Sequence, residues 1–256
     1  MIFYFSGTGN ALWIAKELST AFDERLISIT NELNKPKNNF TYHLQSNENI
    51  FFVFPVHSWG PAVLIYRFIS KIHLDGYTNQ PVYSIGTCGD NCGHTTKIMR
   101  KILRKKSIKL TKGYSIQMPN NYILMKGFSS DSIELAEQKL KNAPGLVQEV
   151  VENIKQKSDK ELYTKGNLAF LKSYIIYPIF KKYALGKNRF YAKDTCISCE
   201  LCVKICPTKT ICFIKERPQW SNNCVQCTAC INRCPVQAIE YDQISQNKRR
   251  YHHPDI

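Results

Sequence analysis

The sequence predicts an α/β fold, a doubly wound open sheet of parallel strands, followed by a small α+β domain. Three observations carry this. The chain opens on an apolar run, Met1-Ile2-Phe3-Tyr4-Phe5, that passes straight into a loop of small residues and then a helical repeat. Further apolar runs near residues 50 and 82 end in loops of similar character. Near the C-terminus, eight of the 11 cysteines fall into two copies of one spacing.

The first run suits a strand buried on both faces. It leads into Ser6-Gly7-Thr8-Gly9-Asn10-Ala11, after which Leu12, Trp13, Ala15, Leu18 and Phe22 recur with helical period. Strand, small-residue loop and helix N-terminus together form an anion site: backbone N–H groups and the helix dipole favour a phosphate, and Ser6 and Thr8 add hydroxyls. The loop is no Walker motif, since no Gly-Lys-Ser/Thr follows, and no G-x-G-x-x-G, since position 12 is Leu. Asn49–Phe54 reads as the next buried strand and ends at Pro55-Val56-His57-Ser58-Trp59-Gly60-Pro61. Pro81–Ile85 follows and ends at Gly86-Thr87-Cys88-Gly89-Asp90-Asn91-Cys92-Gly93. A fifth strand is expected over Gly113–Met118. Ligands of open α/β sheets sit outside the carboxyl ends of the strands, where these loops fall. A long helix is expected from Asp131 to Gln156, capped by Ser130 or Asp131, with a kink or break at Pro144-Gly145.

Residues 1–120 resemble a flavodoxin, whose first loop carries [S/T]-x-T-G-x-[S/T]. The chain matches at Ser6, Thr8 and Gly9 and departs at Ala11. The resemblance implies a flavodoxin-like sheet of order 2-1-3-4-5 that binds FMN. It implies a cofactor set of Ser6, Gly7, Thr8, Gly9, Asn10 and Ala11 at the phosphate, with Pro55, His57, Ser58, Trp59, Thr87, Cys88, Gly89, Asp90 and Gly93 around the ring. Trp59 is the candidate to stack on the flavin. His57 either donates a hydrogen bond to it or caps the next helix. Cys88 and Cys92 read as small residues by the flavin rather than as a redox disulfide.

The cysteine runs are Cys196-x2-Cys199-x2-Cys202-x3-Cys206-Pro207 and Cys224-x2-Cys227-x2-Cys230-x3-Cys234-Pro235. Three closely spaced cysteines can wrap one face of a cubane, but the fourth cannot reach the remaining corner, and this C-x2-C-x2-C-x3-C-P run is that of bacterial ferredoxins holding [4Fe–4S] clusters. As in those proteins, the fourth cysteine of each run is assigned to the other cluster. One cluster takes Cys196, Cys199, Cys202 and Cys234; the other takes Cys224, Cys227, Cys230 and Cys206. Structural zinc also accepts four cysteines, but its sites pair separated C-x2-C knuckles without the third cysteine, the proline or the duplication. Ile197, Leu201, Val203, Ile205, Val225, Ala229 and Ile231 are expected to form a dry shell. A short helix and a strand are expected in each half, the strands being Cys212–Ile214 and Ala238–Tyr241. Cys212, outside both runs, is read as a small buried residue.

The whole chain resembles a family in which a flavodoxin-type domain is fused to a two-cluster ferredoxin. Met118–Ile123, Arg217–Trp220 and the tail Arg250–Pro254 also match it. Three regions follow: an FMN domain at 1–160, an apolar and aromatic connecting segment at 161–189, and a two-cluster domain at 190–256. The connector is too short and interrupted to span a bilayer. It is expected to pack between the domains; the alternative is an amphipathic face on a membrane or partner.

The net charge is +15; cluster thiolates and an FMN phosphate lower it to roughly +9. Lys97, Arg100, Lys101, Arg104, Lys105, Lys106 and Lys109 gather on and after one helix. They form a solvated face or a dock for an acidic redox partner protein. No nucleic-acid motif accompanies the charge, so no nucleic-acid partner is expected. A buried strand beginning at residue 2 leaves no signal peptide, which with the cysteine usage points to the cytoplasm of an anaerobe. The chemistry expected is electron transfer between clusters, FMN and a partner. The alternative is an FMN-dependent reductase of a small acceptor fed by the clusters.

Overall fold

The apolar runs become the central strands of one parallel sheet in a computed structural model, which describes residues 1–36, 39–186 and 189–256. The chain runs β1 (Ile2–Tyr4), α1 (Asn10–Phe22), β2 (Leu26–Ser28), α2 (Ile29–Leu33), β3 (Phe40–His43), β4 (Ile50–His57) and β5 (Gly60–Pro61). It continues α3 (Val63–Lys71), β6 (Ile72–Asp75), β7 (Val82–Cys88), α4 (Thr95–Arg104), β8 (Lys112–Gln117) and α5 (Ile133–Lys155). The parallel strands stand in the order β2-β1-β4-β7-β8. Counted as five parallel strands this is 2-1-3-4-5, the flavodoxin-like order. β5 is an antiparallel return on β4, while β3 and β6 form a separate parallel pair.

Strand alternation builds two cores. Phe3, Phe52 and Phe54 face α3 and α4, meeting Leu64, Phe68, Met99 and Leu103. Ile2, Phe51, Val53 and Ile85 face α1 and α5, meeting Ile14, Leu18, Val147 and Val151. Each fully buried side chain of this size contributes about 2–3 kcal/mol, so the run 50–54 anchors both layers at once. α5 differs from expectation in two ways. Its cap is Ser132, whose hydroxyl accepts from the Leu135 amide at 3.2 Å, and the helix continues through Pro144. Asp131, one residue before the cap, instead accepts from the Asn120 amide at 2.9 Å and from Lys139 at 2.7 Å.

The connector threads past the sheet before turning helical. The Cys92 and Gly93 amides donate to Thr164 and Lys165 carbonyls. Then come α6 (Ala169–Leu171), a π turn at Lys172–Ile176, and α7 (Tyr177–Tyr183). Residues 187 and 188 of the expected connector lie outside the described residues.

The C-terminal region is built twice: β9 (Phe190–Ala192), α8 (Leu201–Lys204), β10 (Ile211–Ile214), β11 (Arg217–Trp220), α9 (Ala229–Asn232) and β12 (Ile239–Tyr241). The repeat offset is the 28 residues from Cys196 to Cys224. Left-handed backbone at Ser198, Glu200 and Lys209 recurs at Gln226, Thr228 and Gln237. The pairs β12–β9 and β10–β11 have equivalent registers, Tyr241 opposite Phe190 and Phe213 opposite Pro218. This is the pseudo-twofold of a ferredoxin-like α+β unit. Its core of Phe190, Ile211, Trp220, Ile231, Ile239 and Tyr241 also takes in Ile123 and Leu124 from the loop after β8.

Candidate functional site

The turns of each cysteine run follow from the residues between the cysteines. Left-handed backbone at two positions, flanking the second cysteine of the run, coils the chain so that three thiols face inward. The fold then brings the fourth thiol from the other run. The Cys202 thiol lies within electrostatic reach of Cys199, Cys234 and Cys196. Cys230 lies likewise beside Cys227, Cys224 and Cys206. The same four thiols, Cys206, Cys224, Cys227 and Cys230, line a small internal cavity with Trp220 and Ile211. Backbone amides point at three of the sulfurs: Thr210 to Cys206 at 3.3 Å, Gln226 to Cys224 at 3.4 Å, and Ala238 to Cys234 at 3.3 Å. Amide hydrogen bonds of this kind stabilise thiolate and tune cluster potential. Burial pushes the Cys202 thiol up to about 11 and Cys227 up to about 12. In the free protein both are protonated at neutral pH, so loading releases protons. Among the described residues no group of His, Cys, Asp or Glu is arranged to hold a single metal ion. A cubane sets its thiolates farther apart than the ligands of one zinc.

A cavity of about 410 Å³ lies at the carboxyl ends of β1, β4, β7 and β8. Of the expected cofactor residues, Ser6, Gly7, Thr8, Asn10, Ala11, Pro55, His57, Ser58, Trp59, Thr87, Cys88, Gly89 and Asp90 line it. Gly9 and Gly93 do not. The Ser6 hydroxyl accepts from the Gly9 amide at 3.1 Å, and the Thr8 hydroxyl accepts from Asn121 at 2.5 Å. Each therefore keeps its own proton to donate to a ligand. Asn10 is a strut: its amide nitrogen donates to the Pro119 carbonyl at 3.0 Å and its oxygen accepts from Tyr251 at 2.8 Å.

The loop is clamped from outside by the C-terminal tail. The His253 amide donates to the Thr8 carbonyl at 2.8 Å, and its ring stacks on Trp13 at 5.4 Å. Gly9, at φ 107°, leaves no room for a side chain: a Cβ would lie 2.6 Å from that of His253. On its other side the loop meets the second cysteine run. A Cβ on Gly7 would lie 2.4 Å from the Cys227 carbonyl oxygen. Gln226, Cys227 and Thr228 complete the cavity wall, so Cys227 faces both cavities.

His57 ends β4 and does not cap α3, whose N-cap is Ala62 without a side-chain bond. Its ring faces the cavity while protein encloses the rest, and this burial pushes its pKa down to about 4. It is a neutral imidazole at pH 7, able to donate one N–H. Ser58 and Trp59 both take left-handed backbone in the turn between β4 and β5, a strained conformation for such residues of the sort that gathers at functional sites. Lys172 sits over the Trp59 ring at 5.1 Å. Cys88 and Cys92 are free thiols; Cys88 lines the cavity and Cys92 lies buried beneath it. The Asn91 side-chain oxygen is buried without a hydrogen-bond partner on the same wall.

Two expectations need correction. Cys212 is exposed, because the alternation of β10 turns Ile211 inward and Cys212 outward. The dry shell is complete only around the second run: Val225 is 2% exposed whereas its counterpart Ile197 is 60% exposed. Sequence reasoning also missed Pro119, Asn120, Asn121, Tyr122, Met125 and Phe128, which line the cavity from the loop after β8. The rule that placed the other loops at strand ends applies equally to that one. Ile176 and Phe180 of the connector complete the mouth, and no motif marks them.

A family model of a 4Fe-4S binding domain matches residues 193–209 and 221–237, the two cysteine runs. No curated protein matches the chain. A structure described as a flavoprotein from Bacteroides uniformis is 17% identical and covers 55% of this chain and 96% of its own, at TM-score 0.36. One from Bacteroides eggerthii is 17% identical over 45% of this chain and 86% of its own, at 0.32. The Trp repressor binding protein of Bacillus subtilis is 15% identical over 56% and 95%, at 0.33. The strand order, rather than these distant likenesses, defines the α/β part. The chain joins a flavodoxin-like sheet to a ferredoxin-like 4Fe–4S binding region.

Proposed function

We propose that the chain is an electron-transfer iron–sulfur flavoprotein, carrying two [4Fe–4S] clusters on its eight paired thiols and FMN in the 410 Å³ cavity. One observation carries the reading: Gly7 of the phosphate loop packs on Cys227, a cluster ligand, in the wall of a single cavity. The residues present fit both groups. Two hydroxyls with spare protons and a helix N-terminus in the cavity wall suit a phosphate. Two quartets of thiols, three of them receiving amide hydrogen bonds, suit cubanes. The clusters supply single electrons and the flavin exchanges one or two. What the chain supplies is placement. Gly7 lets the two sites share a wall, the neutral His57 offers an N–H, and Trp59, Met125 and Phe128 exclude water. In this reading external electrons enter at the open first run, and an acidic partner protein is drawn by the exposed lysines and arginines of and after α4.

Mixing the loaded protein with a reduced viologen in a stopped flow tests this. The flavin band is expected to bleach together with the clusters, faster than in protein stripped of iron. Flavin reduction unaffected by iron removal would overturn the reading. Turnover of a small acceptor faster than free FMN supports would make the chain a reductase instead.

A further inference from the structure

The connector helix is inverted. Across residues 169–183 the packed stripe is Ala169, Ser173, Tyr177 and Phe180, four residues of which two carry hydroxyls. The outward face is the more apolar one. Leu168 is 70% exposed, Phe170 66%, Ile179 51% and Tyr183 54%, and Leu171, Tyr174, Ile175 and Ile176 lie open between them. A soluble surface rarely shows a continuous apolar patch of this extent without a partner. The patch also runs to the cavity mouth, where the exposed Ile176, Met125 and Phe128 line its rim.

Charge identifies the partner. From Leu162 to Lys193 the sequence holds six lysines and one arginine and no Asp or Glu. The Lys172 ammonium lies over the Trp59 ring and the Lys182 ammonium over the Tyr183 ring, each at 5.1 Å, so positive charge is held against aromatic rings that border the apolar face. A second copy of the chain would set these lysines against their equivalents with no carboxylate on the segment to neutralise them. An anionic bilayer offers acyl chains for the apolar side chains and negative headgroups for a one-sign rim of cations.

We propose that the outward face of residues 168–183 docks the protein on anionic lipid, with the helix lying in the interface and the mouth of the large cavity turned to the membrane. The docking is peripheral: among the described residues no helix is long and apolar enough to cross a bilayer.

The test is cosedimentation of the iron-loaded protein with phosphatidylcholine vesicles, with and without phosphatidylglycerol. Binding is expected to the anionic vesicles and to weaken with salt. Lys172→Gln and Lys182→Gln should each weaken it about fivefold. The triple variant Phe170→Ser, Ile175→Ser, Ile179→Ser keeps every charge and should weaken binding at least roughly tenfold, with iron content unchanged. If that variant loses iron, Ile179→Ser alone replaces it, with a smaller loss of the same sign expected. Vesicle binding undiminished by the serine variants would show attraction by net charge alone and overturn the proposal. So would failure to bind anionic vesicles, or a wild-type dimer in sedimentation equilibrium that the serine substitutions dissociate.

Discussion

The two cysteine runs share their spacing, their left-handed turns, their short helices and their strand registers, yet they stand in different surroundings. Around the first, Cys199 and Ile197 are exposed. Around the second, Val225, Ala229, Cys230 and Ile231 are buried, and Cys227 backs onto Gly7 of the loop under the large cavity. Spacing dictates how a run wraps a cluster; tertiary neighbours dictate who can reach it. In the proposed reading the first run is the entrance for external electrons and the second is the flavin-side station.

The comparison breaks most visibly at the equivalent residues Cys199 and Cys227. Each alanine substitution should remove about half the iron, as counted by chelation assay. Cys227→Ala should also abolish fast flavin reduction in the stopped flow, whereas Cys199→Ala, which removes only the entrance, should slow it and leave the flavin-side station in place. Equal effects from the two would erase the distinction between the runs.

Gly7→Val attacks the shared wall. Its Cβ would lie 2.4 Å from the Cys227 carbonyl oxygen, which as backbone cannot yield cheaply. A destabilisation of about 3 kcal/mol and loss of bound flavin are expected, read by denaturant unfolding and flavin fluorescence.

Acid probes the large cavity. His57 is held neutral, with a folded pKa of about 4 against an ordinary 6.5. The unfolded chain therefore binds the extra proton first. The associated stability is complete above pH 6.5 and is lost as the pH falls from there toward 4, by at most about 3 kcal/mol. Unfolding at pH 7.5 and pH 5 should show a smaller acid loss in His57→Asn than in the parent. Acid damage to the clusters is common to both proteins and cancels in the difference.

Val225 and Ile197 isolate the packing difference. Val225→Ala should cost about 2 kcal/mol, and Ile197→Ala less than about 0.5 kcal/mol. A smaller effect than that of Val225→Ala concerns the tail. Tyr251→Phe removes one buried hydrogen bond to Asn10, worth about 1 kcal/mol. Titration should show flavin affinity reduced several-fold with iron content unchanged.

Legibility in the sequence was uneven for physical reasons. The buried strands β1 and β4 are plain because each is a nearly continuous apolar run, and β7 because Val82, Tyr83 and Ile85 lead into a loop of small residues. β2, three residues at the sheet edge, is not, nor is the β3–β6 pair. Of the kink or break expected at Pro144, the break does not occur: Pro144 stands on the exposed face of α5 while Ala143 and Val147 hold the helix to the sheet. The small-residue loop after β1 and both cysteine runs are local patterns, legible without the fold. The large cavity is only partly local: Pro119–Tyr122, Phe180 and Thr228 reach it through tertiary folding, and no residue spacing announces that. The uneven shell around the runs was equally invisible, since Ile197 and Val225 are alike as letters and differ only in what covers them. The tail clamp on Thr8 and Asn10, more than two hundred residues away in sequence, belongs to the same class.

The most direct test of the central claim is stoichiometry. The protein is purified without oxygen, and iron, sulfide and released flavin are measured against protein. The account predicts about eight irons, about eight sulfides and one FMN per chain. About eight irons with no flavin in protein reconstituted with excess FMN would contradict it. The cavity beside Cys227 would then belong to another ligand, leaving the electron-transfer chain without its flavin end.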